Sequence, residues 1–175
     1  MGPADPRARH QGRVSLTHRQ LETLRQAAAA TGQPQALLVA IGRVAEEAMG
    51  CALFTVMRFH EDAMEVERLY STDTAAYPLG GRKTKRDTPW GRHVLTERKV
   101  FVGEGEAAIR AAFDDHATIF GLGLRSIINV PAVYGDVCFG TLNFLKRKAT
   151  MSADDVAVAT ALALIAAPAL LLGRR

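Results

Sequence analysis

Only two of the 175 residues are cysteine, Cys51 and Cys138, and neither stands in a CxxC or Cys/His spacing. That argues against a zinc site and against a disulfide framework. There is no GxGxxG fingerprint, no phosphate-binding Walker sequence and no GxSxG elbow, so a dinucleotide enzyme, a P-loop NTPase and a serine hydrolase are all disfavoured. Aromatic residues make up 6% of the chain, with a single tryptophan, Trp90, and none alternates with basic residues. The excess of positive charge is small, 22 Lys+Arg against 18 Asp+Glu. Most basic residues fall near the termini, in Arg82 to Arg86 and in Lys146 to Lys148, as scattered surface charge would, so no nucleic-acid partner is expected. The first residues are polar and lack the apolar core of a secretory signal. A cytoplasmic, reducing location and two reduced thiols are the expectation. Val156 to Leu172 carries no charge, but it is alanine-rich, contains Pro168 and falls short of the roughly 20 strongly apolar residues of a spanning helix. Burial against a sheet on one side and a partner subunit on the other is expected instead, with no membrane.

What is present is the composition of one globular domain, 48% apolar and 23% charged. Residues 1–14 read as a disordered arm and 15–173 as a single domain. Leu21, Leu24 and Ala28 give a thin helical stripe over Thr17 to Ala30. Leu37, Ile41, Val44, Ala45 and Ala48 give a broader one, from Pro34 to Gly50. Cys51 to Phe59 and Met64 to Thr72 pattern as a strand pair. Asp73 to Asp87 reads as an irregular loop. Thr88-Pro89-Trp90 starts a short helix to Glu97, followed by a short strand, Val100 to Val102. Glu104 to Phe113 is helical in pattern, with a further turn or two through Phe120. Ser152 to Asp155 caps a long last helix. Strands and helices segregate in this order, which predicts an α+β fold: an antiparallel sheet flanked by helices.

Between the short helices and the last one lie two β-type runs, Ser126 to Val133 and Val137 to Leu145, joined by Tyr134-Gly135-Asp136. The first run's ending in Val-Pro, the tight turn and the Gly140 to Leu145 run GTLNFL together resemble the closing hairpin of a GAF domain. The resemblance extends over about residues 20 to 170. It implies a GAF-like sheet, akin to PAS and profilin folds, with the first and last helices packing together on one face. It also implies a free-standing, non-enzymatic regulatory module that binds a small molecule, forms a homodimer, and signals through its terminal helices or an effector protein in trans. The cofactor, if any, is unknown.

In GAF domains the ligand lies between one sheet face and the irregular segments beside it. That resemblance points to Tyr70, Tyr77, Trp90, Phe101, His116, Phe120, Ser126, Asn129, Thr141 and Asn143. Strand alternation separately places Thr141 and Asn143 on one face, opposite Leu142 and Phe144, and Asn129 with Ile127 on one face of the neighbouring strand. Each candidate has a plainer role as well. A strand asparagine can face solvent, Ser126 can satisfy hairpin backbone, Trp90 can anchor core, and His116 can belong to a solvated helix start. Arg82 to Arg86, following Gly80-Gly81, reads either as a mobile lid offering charge to an anion or as a solvated loop. Two further readings stand beside the sensor. One is a divergent redox enzyme resembling free methionine sulfoxide reductases, although the cysteines are not on the loops where that family has them. The other is an interaction module whose pocket is filled by Trp90 and Phe120.

Overall fold

A capping box starts the first helix. Thr17 Oγ1 accepts from the Gln20 N–H and Gln20 Oε1 accepts from the Thr17 N–H, which opens α1, His18–Ala29. The structure, a computed structural model, describes residues 16–172, and the arm expected over 1–14 lies outside them. Leu24 is the one apolar side chain that α1 buries fully, so this thin stripe docks chiefly on α2 (Gln35–Met49). Helix α2 buries Leu37, Leu38, Ile41, Val44 and Ala45 and stops at Gly50, whose left-handed φ of 67° lets its N–H return to Glu46 O.

The strands β1 (Leu53–His60), β2 (Glu65–Ser71), β3 (Arg82–Thr84), β4 (Phe101–Glu104), β5 (Ser126–Tyr134) and β6 (Val137–Lys146) form one sheet in the order β3-β2-β1-β6-β5-β4. Every pairing is antiparallel. The β5–β6 hairpin turns through Gly135 and Asp136, both at positive φ, the geometry whose twist matches that of the flanking strands. Phe54, Val56, Ile128, Val130, Leu142 and Phe144 point from one face into a core shared with α2 and with α5, Ala153–Leu172. Helices α2 and α5 therefore cover one face of the sheet, with α1 packed on α2. The other face is covered by the segment after β2, by a π-helix (Gly91–Thr96), and by α3 (Gly105–Ala112) and α4 (His116–Gly121).

Two expectations need correction. The segment from Asp73 to Asp87 is not irregular throughout, because Arg82–Thr84 pairs with β2 as an edge strand. The basic run is accordingly part strand rather than loop throughout. Arg82 is tied to Glu67 at 3.2 Å, and Arg86 donates to Asp62 O and Ala63 O. The short helix after Thr88 has its cap, Thr88 Oγ1 accepting from the Gly91 N–H at 3.0 Å, but winds as a π-helix rather than an α-helix. Such wide turns are frequent at functional sites.

Helix α5 is, among the described residues, the one helix long and apolar enough to cross a membrane by length and composition. Here it buries Val158, Ala159, Leu162, Ala163, Ala166, Ala167 and Leu170 against β5 and α2, leaving Leu164 70% exposed on the opposite side. Its start is fixed by a second reciprocal cap, Ser152 with Asp155, and by an ion pair between Asp155 and Lys146 Nζ at 2.8 Å. Burial pushes the Asp155 carboxyl up, but the Lys146 ammonium and the Ser152 N–H and hydroxyl outweigh it, so its pKa lies below the ordinary 3.8. A depressed carboxyl contributes stability above its unfolded pKa, and that contribution is lost as the pH falls through the lower folded value. Asp155→Asn should therefore lower stability by about 1–2 kcal/mol at neutral pH. That is less than the loss for a fully enclosed pair, because an open groove borders this one. The difference from the parent should shrink in urea titrations run at progressively more acid pH.

Candidate functional site

The loop-covered face of the sheet is apolar at its ends and polar at its centre. Leu53 and Leu145 on β1 and β6 and Ile127 on β5 surround Thr55, Asn143 and Asn129, which lie side by side because the registers pair Thr55 with Asn143 and Asn143 with Asn129. Trp90, just ahead of the π-helix, joins them. Its Nε1–H donates to Asn129 Oδ1 at 2.9 Å, Asn129 Nδ2 donates to Asn143 Oδ1 at 2.7 Å, and Asn143 Nδ2 donates to Thr55 Oγ1 at 3.1 Å. An indole N–H can only donate, so it fixes the orientation of both amides in turn. The result is a directional relay running across three strands to the π-helix.

Above this floor is a cavity of about 80 Å³. Leu53, Met57, Ile119, Ile127, Leu145 and Phe113 supply its apolar walls. Arg68, Tyr77, Lys83, Lys85 and Asp115 supply the polar rim. The Arg68 guanidinium stacks 4.9 Å from the centre of the Tyr77 ring, the Lys85 ammonium sits 5.3 Å from that of Trp90, and Lys83 pairs with Asp115 at 3.8 Å. Burial lowers the pKa of Lys85 and of Arg68, and burial with the nearby Asp115 charge raises that of the Tyr77 hydroxyl. The Arg68 Nε–H is buried without a hydrogen-bond partner, and the buried Tyr77 hydroxyl makes no close hydrogen bond beyond its approach to Asp115. The site is thus a small chamber with an apolar wall and donors in excess.

Of the ten residues predicted for the site, Tyr77, Asn129 and Asn143 line the chamber, and Trp90 is bonded into its floor. Thr141 is fully buried on the same face, its hydroxyl unpartnered, but lies beyond the chamber. Phe101 and His116 instead border an outer groove of about 720 Å³ between the π-helix and α3, with His116 Nδ1 engaged by Phe113 O at 2.9 Å. Phe120, on α4, lies under the guanidinium groups of Arg110 and Arg125, at 5.3 and 5.6 Å. Two assignments are overturned. Ser126 points to the helix-covered side and donates to Lys148 O at 2.6 Å, closing the hairpin backbone. Tyr70 also faces the helices, its ring 5.7 Å from that of Phe54. A bulge explains Tyr70: β2 pairs Tyr70 with Val56 but Arg68 with Met57, so Leu69 is the extra residue and the strand changes face there. The same bulge delivers Arg68, which sequence reasoning missed, into the chamber. In the sequence, Lys83 and Lys85 stand only as part of a charge run. Lys83 on the edge strand and Lys85 just past its end stand two apart, which is the signal that both point to one side.

The GAF-domain family profile matches residues 31–171. The chain belongs to the GAF family. Among solved structures, this GAF domain is similar to that of Acinetobacter phosphoenolpyruvate-protein phosphotransferase, at 15% identity and a TM-score of 0.69 over 90% of this chain and 96% of that one. The corresponding domain from Coxiella burnetii gives 16% identity and a TM-score of 0.71, covering 89% and 94% of the two chains. The chromophore-binding domain of a Stigmatella aurantiaca bacteriophytochrome gives 14% identity and a TM-score of 0.63 over 90% of this chain and 58% of that one. No curated protein sequence matches the chain significantly. At these identities the likeness is one of fold.

Both thiols of this GAF domain are reduced and buried, Cys51 in the core under the helices and Cys138 in the core on the chamber side of the sheet. Burial pushes the Cys51 thiol up to about 12. Neither thiol should react with a thiol-specific dye at neutral pH until the protein is denatured, when both should titrate together.

Proposed function

We propose that this GAF domain is a regulatory module that binds a small molecule in the chamber and carries no chemistry of its own. The observation that supports it most strongly is the relay. A ligand resting on Asn129 and Asn143 competes for the same amides that hold Trp90, so occupancy is felt at the π-helix. The solved neighbours include the chromophore-binding domain of a bacteriophytochrome and a domain of a phosphotransferase, which is the setting such a module fits. A redox role is poorly served by two inert thiols in cores on opposite faces of the sheet. A filled-pocket role is poorly served by Trp90 and Phe120, neither of which occupies the chamber.

Signalling in this reading passes through a homodimer or an effector protein in trans, and the module works in the cytoplasm. Leu164 on α5 and Leu21 on α1, 70% and 46% exposed, are the side chains that a second copy would cover. Deleting α5 would remove core as well, so the clean variant is Leu164→Lys. It should turn a sedimenting dimer into a folded monomer, and an unchanged mass would discard the α5 interface. Binding itself is tested by thermal-shift screening of small metabolites against the parent and Asn143→Ala. At least one compound should raise the melting temperature of the parent and not of the variant. A screen in which nothing distinguishes the two defeats the proposal.

A further inference from the structure

The chamber's chemistry narrows the class of molecule it accepts. This step rests on the binding role proposed above. We propose that the chamber takes a short-chain monocarboxylate, with its oxygens held by Arg68, Tyr77 and Lys85 and its alkyl tail laid against Leu53, Met57 and Leu145.

The first support is polarity. Because Trp90 can only donate, each amide oxygen in the relay already accepts one hydrogen bond, while the floor keeps uncommitted protons to offer: the second N–H of Asn129, that of Asn143, and the Thr55 hydroxyl. A site that presents donors selects an acceptor-rich ligand. The second support is an orphaned group. The Arg68 Nε–H is buried with no partner, a cost that an incoming oxyanion removes, and the Tyr77 hydroxyl beside it has only the Asp115 carboxylate to turn to. Arg68 already donates an Nη1 hydrogen to Pro78 O, which holds the guanidinium in place against Tyr77.

Charge adds to this. Arg68, Lys83 and Lys85 line the chamber against one carboxylate, Asp115, and that carboxylate is engaged by Lys83. Asp114 acts on Lys85 from the outer groove and does not line the chamber. Burial disfavours the ammonium of Lys85, and an anion beside it would reverse that. A neutral ligand would leave these cations as they are, and a cation would be repelled.

Size and walls then choose among anions. At 80 Å³ the chamber falls well below the roughly 300–1,000 Å³ of a drug-sized site and holds about five non-hydrogen atoms. Nucleotides and tetrapyrroles do not fit without rebuilding it. An inorganic anion fits, but it would lie against six apolar side chains that it cannot use. A carboxylate with one to three carbons attached satisfies both ends, and its two oxygens suit a guanidinium fork.

The test is a titration followed by the emission of Trp90, the single tryptophan, with sodium propionate as the probe at constant ionic strength. Sodium nitrate and propionamide are the matched controls, one lacking the tail and the other the charge. Propionate should saturate, with a Kd in the micromolar to millimolar range for so small a ligand, and the controls should bind at least about tenfold more weakly. Arg68→Gln and Lys85→Met should each weaken propionate about tenfold with the circular dichroism of the fold retained. Equal binding of propionamide, equal binding of nitrate, or full affinity in a folded Lys85→Met variant overturns the carboxylate assignment. Saturation by a neutral compound would do so while leaving the chamber a ligand site, whereas a metabolite screen that never separates the parent from Asn143→Ala removes the binding role itself.

Discussion

Alanine at position 140 is expected to cost more than about 3 kcal/mol or to prevent folding altogether, the largest effect of any single methyl group on this chain. Gly140 sits on β6 between Arg58 of β1 and Ala132 of β5. A Cβ there would run into the Met57 carbonyl oxygen and would also stand 3.0 Å from the Met57 carbonyl carbon and 3.2 Å from Arg58 Cα. All of these atoms are backbone, so no side chain can swing aside, and the two central strands would have to part. Their pairing is what sets Thr55 opposite Asn143. Gly103 is the natural control. A Cβ there meets only side chains, Ile127 Cγ2 and the Phe101 ring at 3.0 Å, and Gly103→Ala should cost nearer about 1 kcal/mol. Urea unfolding of the two variants side by side checks the contrast, and equal costs would mean that β1 and β6 are not this close.

Asn129→Leu should cost about 3 kcal/mol, because it strands two buried groups at once: the Trp90 indole N–H and Asn143 Oδ1. Trp90→Phe removes the donor at one end of the relay and leaves only Asn129 Oδ1 short of a partner, so a smaller loss of about 1–2 kcal/mol is expected. Were the relay ornamental, the order of the two would be set by lost volume and would reverse, since tryptophan is far the larger side chain. Chemical unfolding of both variants, followed by circular dichroism, separates these outcomes.

The elements that carry strong periodicity were legible in the sequence. The stripe on α2, the hairpin with glycine in its turn and the capped apolar α5 all form near where their residues predict, because each signal is local. The faces of β5 and β6 were legible for the same reason: alternation puts Asn129, Thr141 and Asn143 on one side without help from the rest of the chain. What failed was anything that a bulge or a distant pairing decides. One extra residue at Leu69 turns Tyr70 away from the site and Arg68 toward it, and no side chain in Glu65–Ser71 announces it. Likewise Arg82–Thr84 is too short and too charged to read as a strand, and it becomes one only because β2 lies beside it. Lys83 and Lys85 enter the chamber through that pairing.

Trp90 also offers the most direct measurement. A single tryptophan gives a single indole N–H resonance in a proton–nitrogen correlation spectrum, and in this protein that proton is the first donor of the relay. The spectrum should be followed while a panel of small carboxylates, amides and amines is added. If the chamber is a ligand site coupled to the π-helix, at least one compound moves this resonance saturably, together with the side-chain amides of Asn129 and Asn143. A resonance that holds still through the whole panel, or that moves while both amides stay fixed, contradicts the coupling on which the functional account rests.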